Sequence, residues 1–208
     1  AEGGGEMGRA SAEEMLSTCP PAVAAGIERR TFPHGAHLVE MGQRGGQVYL
    51  LLEGAATVST VGESGAAMVL SIYRAGDMVG EAEVVDDLPA MGEVAALGEC
   101  RVAAMSRETF LRWLKADDRF ARFVVGGLSR KLYDFSDKAV TNITTPLRHR
   151  LALLVAEAPG GVLRLDKEIV AAQLGTSVRS LNRTIKELVQ EGRLRYRAGV
   201  LSLKEGEE

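Results

Sequence analysis

Residues 166–194 read DKEIVAAQLGTSVRSLNRTIKELVQEGRL, and two helices with a sharp turn between them follow from that text. Asp166 stands where a helix N-cap belongs, since its carboxylate can accept the free N–H groups of a first turn. Ile169, Val170 and Leu174 give the first helix an apolar side, and Ala171 and Ala172 are small enough for a second helix to cross closely. Gly175 takes the tight turn, and Ser177 caps the second helix. Leu181, Ile185 and Leu188 recur at helical spacing as its buried stripe, which leaves Arg179, Asn182, Arg183 and Lys186 on another face. A cationic face by itself usually means a solvated helix. Here it falls on the second helix of a helix-turn-helix, the element that such a motif presents to the DNA major groove. Double-stranded DNA is therefore the expected partner.

The residues that follow support this. Gly192 ends the second helix, Arg193 to Arg197 alternates as a strand does, Ala198-Gly199 marks a turn, and Val200 to Leu203 alternates back. A hairpin after a helix-turn-helix is a winged helix, and Arg195 and Arg197 are placed to meet phosphates. Residues 146–204 hold eleven Lys/Arg against five Asp/Glu, a net of +6 in a chain whose overall charge is −3. One basic end on a nearly neutral chain is the electrostatic footprint of a nucleic-acid module.

The 208 residues suffice for two small domains or one large one, and a 46% hydrophobic content provides for a core. The longest apolar runs, such as Val48 to Leu52, are too short to cross a membrane. Residues 1–18 are rich in Gly and Glu and lack the apolar segment of a signal peptide. Two cysteines, Cys19 and Cys100, can build neither a disulfide framework nor a four-thiolate cluster. A cytoplasmic protein without metal or cofactor is expected. The opening AEGGGE reads as flexible, with Met7 a candidate native start.

Four segments are expected: a flexible N-terminus over 1–18, an antiparallel β-roll over 19–116, a dimerisation helix over 117–145, and the winged helix over 146–204. This is an α+β fold with a jelly-roll-like N-terminal part. Glycines punctuate short β-rich runs at 37–40, 48–52, 56–61, 68–72, 93–96 and 101–105, the signature of such a roll. Ser106 caps a helix over Arg107–Lys115. Beyond Asp117-Asp118, Phe120, Val124, Leu128, Leu132 (or Lys131), Phe135 and Ala139 form an apolar stripe suited to a partner helix. The stripe is expected to form a homodimer seam, the alternative being that it packs on the chain's own roll. Gly126-Gly127 conflicts locally with the helix, at about 1 kcal/mol each relative to Ala.

A glycine-punctuated roll, a long helix and a C-terminal winged helix, in that order, resemble the CRP/FNR family of bacterial transcription regulators. Val48-Tyr49-Leu50-Leu51-Leu52-Glu53-Gly54 is similar to the family's apolar strand ending in Gly, and Gly76-Asp77-Met78-Val79-Gly80-Glu81 to the entry of its phosphate-binding cassette. The resemblance implies a two-fold dimer on palindromic DNA, with recognition helices about 34 Å apart, and RNA polymerase as a further partner of an activator. It likens Ser177 and Ser180 to phosphate-contacting and capping residues, and Val178, Arg179 and Arg183 to base readers. Arg179 departs from the pattern, because the family's usual glutamate accepts from cytosine N4 whereas arginine prefers guanine O6 and N7. A different half-site is therefore expected.

In nucleotide-binding relatives the cassette ends in Arg followed by Ser or Thr, which hold the cyclic phosphate, while the Glu takes a ribose hydroxyl. Gly80 and Glu81 are in place here, but Met91-Gly92 stands where the cation and hydroxyl belong. Residues 80–96 contain no Lys or Arg, and a buried phosphate needs paired charge or aimed donors. Control by cyclic AMP or cyclic GMP is not expected, although Arg74 or a partner subunit could supply a cation. Haem on His34 or His37 and a Cys19–Cys100 redox switch are weaker options, which leaves an unidentified small effector or none. Catalysis is not expected, since no nucleophile–base set or metal-spaced cluster is evident. The rival reading is a small-molecule-binding interaction module whose winged helix contacts protein rather than DNA.

Overall fold

A computed structural model describes residues 12–61 and 67–203. They fall into two compact units, one comprising residues to Thr60 with Ile72–Tyr133, the other Val61–Ser71 with Asp134 onward. The first opens with a helix at residues 12–17 (α1) and a short α2, Pro21–Ala24. Strands β1 (Ile27–Phe32), β2 (His37–Val39), β3 (Gln47–Val61), β4 (Ala67–Arg74), β5 (Met78–Val79) and β6 (Glu93–Ser106) follow, with α3 (Glu81–Asp86) between the last two. Then come α4 (Arg107–Ala116) and the long α5 (Asp118–Thr144), whose end passes into the second unit.

The roll's sheet runs β1-β6-β3-β4, with β2 on β6 and β5 on β3. Side-chain alternation explains why the run Val48–Leu52 is apolar at every position. Val48, Leu50 and Leu52 enter one core cluster and Tyr49 and Leu51 the other, so β3 is buried on both faces. The antiparallel register carries this across to β6. Val48 faces Met105 and Leu50 faces Ala103 on one side, while Tyr49 faces Ala104 and Leu51 faces Val102 on the other.

Several expectations are corrected here. The runs at 48–52 and 56–61 form one strand, β3, and those at 93–96 and 101–105 form another, β6. Glycine marks turns and bulges alike. Gly54 has φ +81°, the register shifts on either side of Glu53, and a Cβ on Gly54 would lie 2.3 Å from the Glu99 carbonyl. This is a bulge that only glycine accommodates, and it bends a strand that continues. Of the expected flexible N-terminus, residues 12–17 are helical, Ala12 is buried, and Met15 and Leu16 pack on the core. The AEGGGE stretch and Met7 lie outside the described residues.

The apolar stripe of α5 is divided. Phe120 and Val124 are buried in the core of the roll and so serve the chain's own fold rather than a partner, while Leu128 packs against that core half-buried. The reason is aromatic. The Phe120 ring stacks on Trp113 at 3.7 Å between centroids and meets Phe110 edge-on at 5.8 Å. The helix continues through Gly126-Gly127.

The second unit adds α6 (Leu147–Glu157), a 3-10 turn at Pro159–Gly161, β7 (Val162–Arg164), α7 (Lys167–Gln173), α8 (Val178–Gln190), β8 (Leu194–Arg197) and β9 (Val200–Leu203). Leu151 and Val155 of α6, Val170 and Ala171 of α7, and Leu181, Ile185 and Leu188 of α8 close one core with Leu194 and Leu201. The wing has a third strand, because β7 pairs with β9 from the opposite side to β8. Ala198 (φ +50°) and Gly199 (φ +78°) form its two-residue tip, with the doubly positive φ of a type I′ hairpin.

Candidate nucleic-acid interface and effector site

Both helices of the helix-turn-helix begin as their sequence predicts. The Asp166 carboxylate accepts the N–H groups of Glu168 and Ile169, and Ser177 Oγ accepts the Ser180 N–H at 3.1 Å. Replacing Ser177 with Ala is expected to lower stability by about 1 kcal/mol, the usual cost of a lost N-cap, as read by thermal unfolding. The Ser177 hydroxyl also donates to Ser180 Oγ, so the two serines form one small cap.

With Leu181, Thr184, Ile185 and Leu188 buried, α8 turns Arg179, Asn182, Arg183 and Lys186 outward. Val178, expected among the base readers, instead packs against the core of this unit, because it lies on the buried side of the first turn. Arg183 shares its face with an acid, its Nε lying 3.9 Å from Glu187 Oε1 one turn on. Such an exposed pair is worth at most about 1 kcal/mol and yields readily to a phosphate or base. In the wing, Arg195 and Arg197 are exposed, and Tyr196 is exposed between them.

Two of the candidate effector residues, Gly80 and Glu81, sit at the start of α3. Gly80 is its N-cap in the left-handed region, and Glu81 at its first position is only 3% exposed. That carboxylate is engaged. Lys131 Nζ, from α5, donates to Glu81 Oε1 at 2.6 Å and to the Met78 carbonyl at 2.6 Å, and stands 3.9 Å over the Tyr73 ring. Arg74, the other candidate cation, is exposed. At the far end of the cassette Met91 points outward, 84% exposed, and Gly92 is buried against β3. A Cβ on Gly92 would lie 2.4 Å from the Ser59 carbonyl, so no larger side chain fits there without moving β3.

Desolvation lowers the Lys131 pKa, but the charges of Glu81 and Tyr73 and the Glu81 hydrogen bond outweigh it. The net effect raises it above the usual lysine value of 10.5. A raised folded-state pKa contributes stability that is complete below the unfolded value and lost as pH climbs through the folded one. The stability gap between wild type and Lys131→Met should therefore stay constant up to about pH 10.5 and close above it. Urea unfolding across alkaline pH checks this, and a gap that persists at the alkaline end would mean that the ammonium charge is not what matters.

Sequence reasoning missed Lys131 as a site residue. Its signal was indirect: a carboxylate in an apolar setting needs a cation, and residues 80–96 supply none. The remaining sensor options also find their places. His34 Nδ1 accepts the Gly98 N–H at 3.0 Å, which fixes it in a turn. Cys100 is buried, its thiol pushed up to about 11 by desolvation, and it belongs to one core cluster while Cys19 packs against the other. The chain therefore brings no thiolate pair together.

Along α5 most side chains after Lys131 face solvent. Leu132 is 68% and Phe135 59% exposed, Tyr133, Val140 and Ile143 are exposed too, and Ala139 is half-buried.

Known proteins share this fold. The cyclic nucleotide-binding domain model matches residues 29–117. The "CRP-like cAMP-activated global transcriptional regulator" of Mycobacterium tuberculosis is 22% identical over 90% of this chain and 90% of its own. The "Cyclic AMP receptor protein" of Thermus thermophilus is 22% identical over 86% and 85%. Among solved structures, the c-di-GMP-responsive global regulator of Xanthomonas campestris superposes with a TM-score of 0.73 at 20% identity, over 95% of this chain and 100% of that one. A CRP/FNR-family regulator of Thermus thermophilus gives 0.64 at 24% identity, over 85% and 93%. The chain is thus a regulator with a cyclic-nucleotide-binding-type sensor. Over most of its length it resembles transcription regulators of the CRP/FNR type.

Proposed function

We propose that this chain is a sequence-specific DNA-binding regulator that acts as a homodimer on a palindromic site without control by cyclic AMP or cyclic GMP. The observation that carries the reading is α8, which is capped by Ser177, buried along one stripe and turned outward at Arg179, Asn182, Arg183 and Lys186. Arg179 and Arg183, helped by Asn182, read base edges. Lys186, Arg195 and Arg197 hold phosphates, with the Ser177–Ser180 cap beside the backbone. The exposed Leu132 and Phe135, with the half-buried Ala139, supply the dimer seam.

Two relatives are cAMP-activated or cAMP receptors by name. Here Glu81 already has an ammonium partner, and Gly92 leaves no room for a hydroxyl or cation against β3. That supports independence from those nucleotides and leaves room for an unidentified small effector. No helix among the described residues is long and apolar enough to cross a membrane, in keeping with a cytoplasmic regulator, for which RNA polymerase is a partner if it activates.

The test is selection of bound sequences from a random DNA pool, with and without cyclic AMP. A palindrome enriched equally in both arms is the expected result. Enrichment only with the nucleotide overturns the reading of Met91-Gly92, and no enrichment in either arm favours the rival module that contacts protein.

A further inference from the structure

The turn between α7 and α8 is held from outside the helix-turn-helix. Leu174 is the C-cap of α7, and its carbonyl accepts a hydrogen bond from Arg150 Nη1 of α6 at 2.6 Å. The same guanidinium nitrogen donates to Asn142 Oδ1, near the end of α5. Asn142 Nδ2 in turn reaches the Gly175 carbonyl at 3.5 Å. The backbone conformation at the turn is what favours glycine there. Gly175 has φ +57°, and a Cβ there would lie 2.4 Å from Asn142 Nδ2.

The chemistry of these groups suits a fixed joint. A helix C-terminus leaves carbonyls without partners, and a cation there also meets the negative end of the helix dipole. Arg150 is half-buried, and its Nε is buried without a partner among the described residues. Its two polar contacts are thus retained in a desolvated setting, where a hydrogen bond is stronger than in water. Asn142, Arg150 and Leu174-Gly175 come from three different helices or their ends, all within the second unit. One side of the joint is the recognition motif. The other is the stretch of α5 that exposes Phe135, Val140 and Ile143.

We propose that Arg150 and Asn142 are positioning residues that set the half-site spacing this regulator accepts, by fixing the helix-turn-helix against the seam-bearing end of α5. The inference rests on the dimeric DNA-binding reading above. In a two-fold dimer the distance between recognition helices depends on the angle each makes with the seam. One added base pair moves a half-site along the axis and around it at once, so a rigid joint rejects it and a loose one follows it.

The experiment uses the full chain and the selected palindrome, with the central spacer lengthened and shortened by one and two base pairs. Wild type is expected to prefer one spacing by roughly tenfold or more, comparable to one mismatched base pair. Arg150→Met and Asn142→Ala are expected to reduce that preference to within about threefold, while discrimination against single-base changes inside each half-site persists. Arg150→Lys, which keeps a cation able to reach one carbonyl, should restore part of the preference. Asn142 is exposed, so its variant tests the joint without disturbing a core. Variants that keep the wild-type spacing profile, or that lose spacing and base discrimination together, overturn the proposal. A wild type that shows no preferred spacing overturns the dimeric reading itself.

Discussion

Arg179→Ala combined with Arg183→Ala is expected to remove most of the protein's ability to tell its site from other DNA. Each bidentate arginine–guanine contact is worth about 1–3 kcal/mol of discrimination, and a palindrome counts each loss twice. Specific affinity should fall towards the non-specific level, by about two orders of magnitude or more. The two positions are not equivalent. Among the described residues Arg179 has no ion-pair partner, whereas Arg183 lies within 3.9 Å of Glu187 and must exchange that contact for a base. The single Arg179 variant should therefore show the cleaner change, namely relaxed preference at one base pair per half-site. Lys186→Ala is the contrasting control, expected to weaken all sequences alike and reduce the salt slope by about one per subunit. Titrations of the selected site and a scrambled duplex at several salt concentrations separate the two behaviours. If the double variant binds the selected site as wild type does, the recognition face has been misassigned.

The winged helix was legible because its local signals agree with one another. Asp166 and Ser177 cap where capping residues should, and the Leu181–Ile185–Leu188 stripe has a single helical period. The roll was legible as a class but not in its strands. Gly54 and Gly98 look like turns in the text, yet both are left-handed residues inside continuing strands. Strand β1, Ile27–Phe32, carries no clear strand signal because IERRTF is half charged, as an edge strand can be. Strand β7 is three residues long and follows directly on Pro159-Gly160-Gly161, so nothing in its composition marks it. In the effector region the text gave Glu81 without its partner. Lys131 lies fifty residues away on a helix whose apolar period drew attention to Leu132 instead. Pairings of that range depend on how the helix lies over the roll, and periodicity along the helix does not contain that information.

The same division in α5 yields the second large effect. Phe120→Ala removes a fully buried ring that stacks on Trp113 and meets Phe110 edge-on. It should cost about 3–5 kcal/mol, the range for a large core aromatic, regardless of protein concentration. Phe135→Asp should act oppositely. Its ring is 59% exposed in the single chain, so the subunit loses no more than about 0.5 kcal/mol, as for most surface changes. In a dimer seam, however, two rings leave an apolar contact and two carboxylates enter it. At about 1.5–3 kcal/mol per large apolar side chain, association should weaken by two orders of magnitude or more. Sedimentation across a concentration series, paired with urea unfolding at a fixed low concentration, separates the two variants. Phe120→Ala should shift the unfolding midpoint, and Phe135→Asp the mass. A Phe135→Asp protein that remains dimeric would move the seam to another face. One that unfolds as readily as Phe120→Ala would show that the exposed half of α5 packs within its own chain after all.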